Sequence, residues 1–414
     1  MSARLPLPLS RRALMAVGLA GSAASVAYRP AYADRGSTAL LSDTTLEPGL
    51  VLLNAANLTP AFRVAQEAME KLARSVREDP SFQNRDRFQE MSEAVRAQLA
   101  AFVGAPADGI ALLRNCSEAN NLIAHGLALS AGDEVIVFDQ NHQSNRLSWQ
   151  ARATREGIVV RDLPTPIDAQ SEADIIAPIA AAITPRTRVI AVSEISNRSG
   201  LEAPVRKLAE FAEAHDIWLH IDGAQGFGWR PLDLQALGCT SYSASAHKWM
   251  LGPIEAGFLY VQPNALERVA SPIQSVNYWL SHGATPQGAR RFEALGQRDD
   301  ARLAGIAATI ARIEEIGLQV IEQEVRALTD YLRMRLGELP EVRVGEPGSP
   351  GLFGPIVRAY FDTPRPVMAA QRMWDAKRIA LTPGAGSLRF SPHAYNTRAE
   401  IDLAVGELAE AIRA

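Results

Sequence analysis

Ser245-Ala246-His247-Lys248 sits in a stretch of small and apolar residues running from Cys239 to Pro253. A lysine amine forms an imine with an aldehyde only when it can shed its proton, and desolvation or a neighbouring cation favours that loss. An isolated lysine is ordinarily a solvated surface charge, but one embedded in such a run is poorly placed for water. Upstream, Asp222 closes the apolar run Ile217-Trp218-Leu219-His220-Ile221 and precedes Gly223-Ala224-Gln225. A strand-end aspartate commonly does no more than start a turn. Aimed at the nitrogen of a pyridine ring, it would keep that nitrogen protonated and let the ring withdraw electrons from a carbanion. An aldehyde for the lysine and a pyridine for the aspartate belong to one cofactor, pyridoxal 5′-phosphate (PLP).

Such a cofactor needs a cup for its phosphate. Asn115-Cys116-Ser117-Glu118 precedes a helical stretch through Asn121, Leu122, Ala124 and Leu127. Ser117 is the expected N-cap, and the free N–H groups of a first helical turn bind phosphate. Ser245 and His247 offer further donors. His142, in Asn141-His142-Gln143-Ser144-Asn145, follows another apolar run and carries a flat ring that could stack on the cofactor and exchange protons.

The elements that must position these groups alternate. Glu134–Phe138, Arg188–Val192 and Ile217–Ile221 read as short buried strands. Between the last two, Val205, Leu208, Phe211 and Ala212 recur at helical spacing behind Pro204, which a first helical turn accepts. Alternating strands and helices predict an α/β fold with a mostly parallel sheet, in which ligands gather beyond the carboxyl ends of the strands. From about Asp300 the texture changes to long helical patterns such as Ala301–Leu318, then a strand-like stretch Ile356–Phe361 and a terminal helix. This predicts a large domain over 61–299, preceded by an N-terminal segment at 34–60, and a smaller C-terminal α+β domain over 300–414.

Composition is that of a globular protein, 47% hydrophobic and 21% charged. A net charge of -4 gives no general reason to expect nucleic acid as a partner. The two cysteines, Cys116 and Cys239, are too few for a disulfide framework and are read as free thiols. No Cys/His cluster suggests a metal. At the N-terminus, Arg11-Arg12 opens an uncharged run to Ala27, and Ala31-Tyr32-Ala33 has the small-large-small pattern of a signal peptidase site. Residues 1–33 therefore resemble a twin-arginine export signal cut near Ala33, with a periplasmic destination; a mitochondrial transit peptide is the lesser alternative.

His220-Ile221-Asp222-Gly223-Ala224-Gln225 followed by Ser245-Ala246-His247-Lys248 resembles the class V aminotransferase family of fold-type I PLP enzymes. The resemblance runs from about Leu53 to the C-terminus. It implies that Lys248 carries PLP, that Asp222 pairs with the ring nitrogen, and that Cys116, Ser117, Gln225, Ser245 and His247 surround the cofactor. It further implies that His142 stacks on the ring, that Asn197 of Ser193-Glu194-Ile195-Ser196-Asn197 lies near the phenolic oxygen, and that Arg389 of Leu388-Arg389-Phe390-Ser391 clamps a substrate α-carboxylate. Arg291–Gln297 resembles a segment that reaches the phosphate of a partner subunit in a homodimer, although Gln297 stands where the family usually has Thr. Cysteine desulfurases need a mobile cysteine late in the chain, and none follows Cys239. Asn115-Cys116-Ser117-Glu118 and Gln297-Arg298-Asp299 are similar to the isopenicillin N epimerase-like subgroup. With the export signal, the pattern is similar to periplasmic PLP enzymes that tailor a glutamyl side chain of pyoverdine siderophores. Three readings follow: an exported enzyme acting on an amino group of a peptide-like metabolite, an epimerase or lyase on a free amino acid, and a non-catalytic binding protein on the same fold.

Overall fold

Val135, Ile136 and Val137 are all fully buried, so this run meets apolar neighbours on both faces. The computed structural model, which describes residues 43–275, 287–362 and 365–413, shows why. The export-signal residues lie outside the described residues. Seven strands form one sheet: β1 (Ile110–Leu113), β2 (Glu134–Phe138), β3 (Val159–Leu163), β4 (Thr187–Ser193), β5 (Trp218–Asp222), β6 (Ser241–Ser245) and β7 (Gly257–Val261). Their spatial order is β1-β7-β6-β5-β4-β2-β3. Only β7 runs against its neighbours; β6 through β3 are parallel. This is the mostly parallel α/β sheet expected from the sequence.

Alternate residues of each strand feed two separate cores. Ile136, Ile190, Leu219, Ile221 and Tyr242 belong to one, with apolar residues of α1 (Arg63–Glu78), α2 (Arg87–Phe102), α5 (Glu172–Ala182) and α6 (Val205–Ala214). Val135, Val137, Val189, Ala191 and Trp218 belong to the other, with α3 (Cys116–Gly126) and α4 (Gln143–Glu156). Helices thus cover both faces, as parallel sheets require. Pro204 occupies the cap of α6, one position before the helix proper.

The helix expected over Ala301–Leu318 breaks at Gly317, whose φ of 91° no ordinary helical residue adopts. It divides into α7 (Ala301–Ile316) and α8 (Leu318–Gly337). Leu303, Ile306, Ile310 and Ile313 of α7 join the first core. From Leu328 onward the chain builds a third core around a four-stranded antiparallel sheet, with α9 (Pro366–Lys377) and α10 (Arg398–Arg413). Its strands are β8 (Arg343–Val344), β9 (Val357–Tyr360), β10 (Thr382–Gly384) and β11 (Ser387–Phe390).

Two glycines after β5 are there for close approach. A β-carbon on Gly223 would fall onto the ring of Tyr242, and one on Gly226 onto the carboxylate of Glu194. Glu194 is itself buried and occupied: it accepts from Tyr242 Oη at 2.6 Å and from Arg230 Nη2 at 2.8 Å. The chain leaving Asp222 is thereby folded tightly over the end of the sheet.

Candidate active site

Lys248 lies three residues past the carboxyl end of β6, in a turn with little freedom. Gly252 N donates to Ala246 O at 2.9 Å, and Leu251 N to Lys248 O at 3.2 Å. Leu251 is forced to a φ of 59°, a left-handed conformation that costs about 1–2 kcal/mol for a residue with a β-carbon. Thr59 ties the turn to the N-terminal segment, its N–H donating to His247 O at 3.0 Å and its hydroxyl to Lys248 O. The side chain enters a cavity of about 250 Å³ lined also by Asn57, Cys116, Ser117, His142, Asn197, Asp222, Ser245, His247 and Arg389. Burial lowers the proton affinity of the Lys248 amine; the negative Asp222 opposes this and the positive Arg389 adds to it. Lys71, Lys207 and Lys377, the chain's other lysines, are exposed.

Asp222 is the last residue of β5 and is 3% exposed, so its carboxylate depends on donors supplied by the protein. Cys116 Sγ donates to Oδ1 at 3.1 Å, Ala224 N to Oδ1 at 3.2 Å, and Asn120 Nδ2 to Oδ2 at 2.9 Å. Because a carboxylate only accepts, the Asn120 amide must turn its nitrogen toward Asp222 and its oxygen the other way. That oxygen accepts from Ser243 Oγ at 2.6 Å and pairs with His220 Nε2 at 2.9 Å. His220 therefore carries its proton on Nε2. Its Nδ1 takes the Ser241 hydroxyl at 2.8 Å, and Ser241 Oγ in turn accepts from Trp218 Nε1 at 2.8 Å. Burial pushes the His220 pKa down to about 4, leaving a neutral ring near pH 7. The result is a one-directional file of donors, Trp218 to Ser241 to His220 to Asn120, ending on Asp222. Neither Asn120 nor His220 is singled out by the sequence reading. The one signal is that Cys116 and Asn120 share a face of α3 with Ala119 and Ile123, all buried.

At the other end of the cavity α3 begins. Its N-cap is Asn115, not Ser117: the Asn115 side chain accepts from Glu118 N at 2.9 Å. Asn115 is fully extended (φ -170°, ψ 172°), which starts the helix at Cys116 and moves Ser117 into the first turn. Cys116 N donates to Ser245 Oγ at 2.8 Å, so the Ser245 hydroxyl keeps its own proton to give. The Ser117 N–H has no partner among the described residues. His247 lines the same end, its Nδ1 paired with Ile254 O at 3.0 Å.

His142 caps α4, its Nδ1 3.2 Å from Ser144 N and 2.8 Å from Ser144 Oγ. Burial, and the positive Lys248 and Arg389, lower its pKa, against the pull of Asp222. Asn197 holds Arg389 through its carbonyl, which accepts from Nη1 at 2.7 Å, while its own Oδ1 is buried without a partner. Arg389 Nη2 bonds Asn54 Oδ1 at 3.2 Å and Thr382 Oγ1 at 3.1 Å, and Nε has no partner. Burial, reinforced by Arg358, takes the Arg389 pKa down to about 10, which still leaves it charged at neutral pH.

Two residues of the resemblance stand outside this cavity. Gln225 does not line the cavity; its Nε2 donates to Ala56 O at 3.0 Å and its Oε1 accepts from Trp249 Nε1 at 2.7 Å. With both ends of the amide committed and the residue 3% exposed, it clamps the N-terminal segment to the turn after Lys248. Gln297 is also outside the cavity of its own chain, its Oε1 accepting from Arg85 Nη2 at 2.6 Å. Cys116 and Cys239 are both buried free thiols.

The donor file behind Asp222 generates a stability prediction. Asn120→Ala leaves the His220 Nε2 proton without its acceptor and Asp222 without one donor, with an expected loss of about 1–3 kcal/mol of unfolding free energy in urea. Asn120→Asp, which cannot donate to Asp222 and sets two carboxylates side by side, should lose more. Wild-type stability in both variants would contradict the linkage.

These residues fit PLP on their own chemistry. A half-buried amine of weakened proton affinity lines the same cavity as a carboxylate with three fixed donors. A helix start offers an unused N–H beside Ser245 and His247, and Asn197 Oδ1 and Arg389 Nε stand as unpartnered polar atoms on the opposite side. Comparison with known proteins agrees. The aminotransferase class-V family profile matches residues 52–403. The chain is 33% identical over 323 residues to an isopenicillin N epimerase of Streptomyces clavuligerus, covering 74% of this chain and 81% of that one. It is 30% identical over 388 residues to the isopenicillin N epimerase of Amycolatopsis lactamdurans, covering 89% and 96%. A cysteine desulfurase of Yersinia pestis is 34% identical over 278 residues, covering 64% of this chain and 65% of that one. Among solved structures, the cysteine desulfurase of Thermococcus onnurineus superimposes with a TM-score of 0.81 at 24% identity, covering 92% of this chain and 98% of that one. A PLP-bound mutant of the cystine C–S lyase C-DES gives 0.80 at 23%, covering 87% and 96%. The chain belongs to the aminotransferase class-V family and is a PLP-dependent enzyme of its isopenicillin N epimerase-like subgroup.

Proposed function

We propose that this enzyme acts at the amino-bearing carbon of an amino acid or peptide-like metabolite whose α-carboxylate rests on Arg389. The observation that carries the reading is the convergence of Lys248, Asp222 and Arg389 on one cavity, with the guanidinium bonded only to neutral groups. Bound PLP supplies the electron sink for charge developing at that carbon. Lys248, with its lowered proton affinity, is the proton carrier. Asp222, oriented by Cys116, Asn120 and Ala224, would face the ring nitrogen. Arg389 orients the substrate by two-point recognition of a carboxylate. His142, with its depressed pKa, is a second proton carrier at the cavity mouth.

Desulfuration is disfavoured by the thiols themselves. Burial and the adjacent Asp222 push the Cys116 pKa far up, and burial does the same for Cys239, so neither is a mobile thiolate. Epimerisation is the second reading, favoured by the two relatives that carry that activity in their names. Both readings require removal of the α-proton. Nuclear magnetic resonance in D₂O, with a panel of L-amino acids and glutamyl peptides, should show α-hydrogen exchange that falls roughly 10²-fold or more in Asp222→Ala. Recovery of the opposite enantiomer selects epimerisation, and a keto product selects transamination. Exchange at the wild-type rate in Asp222→Ala contradicts the role of the carboxylate.

The site of action we propose is the periplasm, reached through the Arg11-Arg12 signal, with a pyoverdine-type peptide siderophore bearing a glutamyl amino group as the substrate. An enzyme of free amino acids has little reason to leave the compartment that holds them. The working form is a homodimer, with Gln297 near the partner subunit's phosphate site, consistent with the preference of soluble oligomers for two-fold symmetry. Cell fractionation should yield a periplasmic form beginning near Asp34 that sediments as a dimer, and Arg11-Arg12→Lys-Lys should trap the precursor in the cytoplasm. Intact soluble precursor in the cytoplasm of a normal host, or an active monomer, would refute the respective claim.

A further inference from the structure

The face of the small sheet that supplies Arg389 to the cavity carries more positive charge than one carboxylate clamp requires. β9 and β11 pair antiparallel, with Arg358 opposite Arg389 and Tyr360 opposite Ser387, and β8 sets Arg343 opposite Tyr360. Residues directly opposite on antiparallel strands project from the same face, and like charges in that position are destabilising. The other face is ordinary: Val357, Ala359, Leu388 and Phe390 are buried in the third core. The polar face thus presents Arg343, Arg358 and Arg389 together. Among the described residues none of the three has a carboxylate within ion-pair distance.

Their partners are neutral. Arg358 Nε donates to Ser387 Oγ at 2.8 Å and Nη2 to Ala385 O at 3.3 Å, which fixes the guanidinium and leaves Nη1 unused among the described residues. Arg343 Nη1 donates to Gly345 O at 2.7 Å, and its guanidinium lies 3.9 Å from the centre of the Tyr360 ring. The carboxylate of Glu346 is taken by Tyr360 Oη at 2.5 Å. Arg358 is near enough for its charge to help lower the proton affinity of Arg389. A sheet that sets two cations opposite each other and neutralises neither is arranged for anions arriving from outside.

We propose that Arg358 and Arg389 form a two-guanidinium site, Arg389 for the α-carboxylate and Arg358 for a second carboxylate on the same substrate. The inference rests on the assignment of Arg389 made above and names the substrate class: an acidic amino acid, or a peptide residue with a free acid group beyond its α-carboxylate. Directly opposed positions are only about 5 Å apart at the backbone. Two cations leaving one face from opposed positions would be shared by a single substrate with two acid groups, such as glutamate.

The test uses the PLP-loaded full-length protein and follows the visible absorption band during titration with L-glutamate and with its neutral isostere L-glutamine. Wild type should bind glutamate roughly tenfold or more tightly than glutamine, as one charge-assisted contact implies. In Arg358→Gln the two should come within about twofold, and Arg358→Lys, which keeps the charge on a gentler substitution, should recover part of the preference. Equal affinities in wild type, or a glutamate preference that survives in Arg358→Gln, overturn the second-carboxylate site while leaving the Arg389 assignment standing. No response to either amino acid removes the Arg389 assignment itself, and the inference with it.

Discussion

A buried carboxylate and a half-buried amine lining the same cavity are the constraint around which the rest of this protein is arranged. A buried carboxylate needs hydrogen-bond donors from the protein in place of water. Asp222 receives a thiol, a backbone N–H and an amide at once. The amide is oriented by a file of groups reaching back through His220 and Ser241 to Trp218, each with one available hydrogen-bonding sense. Lys248 meets the complementary requirement. Burial weakens its hold on a proton, Asp222 opposes that, and Arg389 adds to it.

The fold supplies these positions by ending strands at the same edge. β5 delivers Asp222, β6 delivers Ser245 and then the Lys248 turn, and the segment after β4 delivers Asn197. Parallel strands bring successive carboxyl ends together, which is why a site of residues distant in sequence can be built with short loops. The close passage at Gly223 and Gly226 and the left-handed Leu251 are the local consequences. The third core contributes differently. Its sheet buries an apolar face in that core and supplies Arg389 to the cavity from the other, so the proposed substrate clamp belongs to an element separate from the sheet that bears Asp222 and leads to Lys248.

Much of this could be read from the chain, for identifiable reasons. Lys248 and Asp222 stand out because a charge in a small or apolar run has few structural justifications. The sheet was readable because runs such as Val135–Val137 are apolar on both faces, a pattern that parallel strands produce. What was missed depends on tertiary register. Asn120 in a helix and His220 in a strand look unremarkable until α3 is laid across β5. Arg358 gains meaning only from the hairpin partner that sets it against Arg389. Gln225 belongs to the same motif as Asp222, but motif membership does not say which way an amide turns, and here it faces Ala56 and Trp249. The α3 cap falls two residues before Ser117: Asn115 and Ser117 are both good caps, and only the extended backbone at Asn115 decides between them.

The account stands on Lys248 as the point of cofactor attachment, and the lysine content of the chain makes that unusually easy to examine. Lys71, Lys207 and Lys377 are all exposed, so each is open to adventitious modification and each is a clear alternative address. Borohydride reduction of the PLP-loaded protein, followed by proteolysis and mass spectrometric mapping, should place a stoichiometric pyridoxyl adduct on the peptide containing Lys248. The Lys248→Ala protein should lose the adduct and its visible band while still retaining PLP through the groups around the start of α3. A stoichiometric adduct on Lys71, Lys207 or Lys377 in the wild-type protein, with Lys248 unmodified, would contradict the account at its centre.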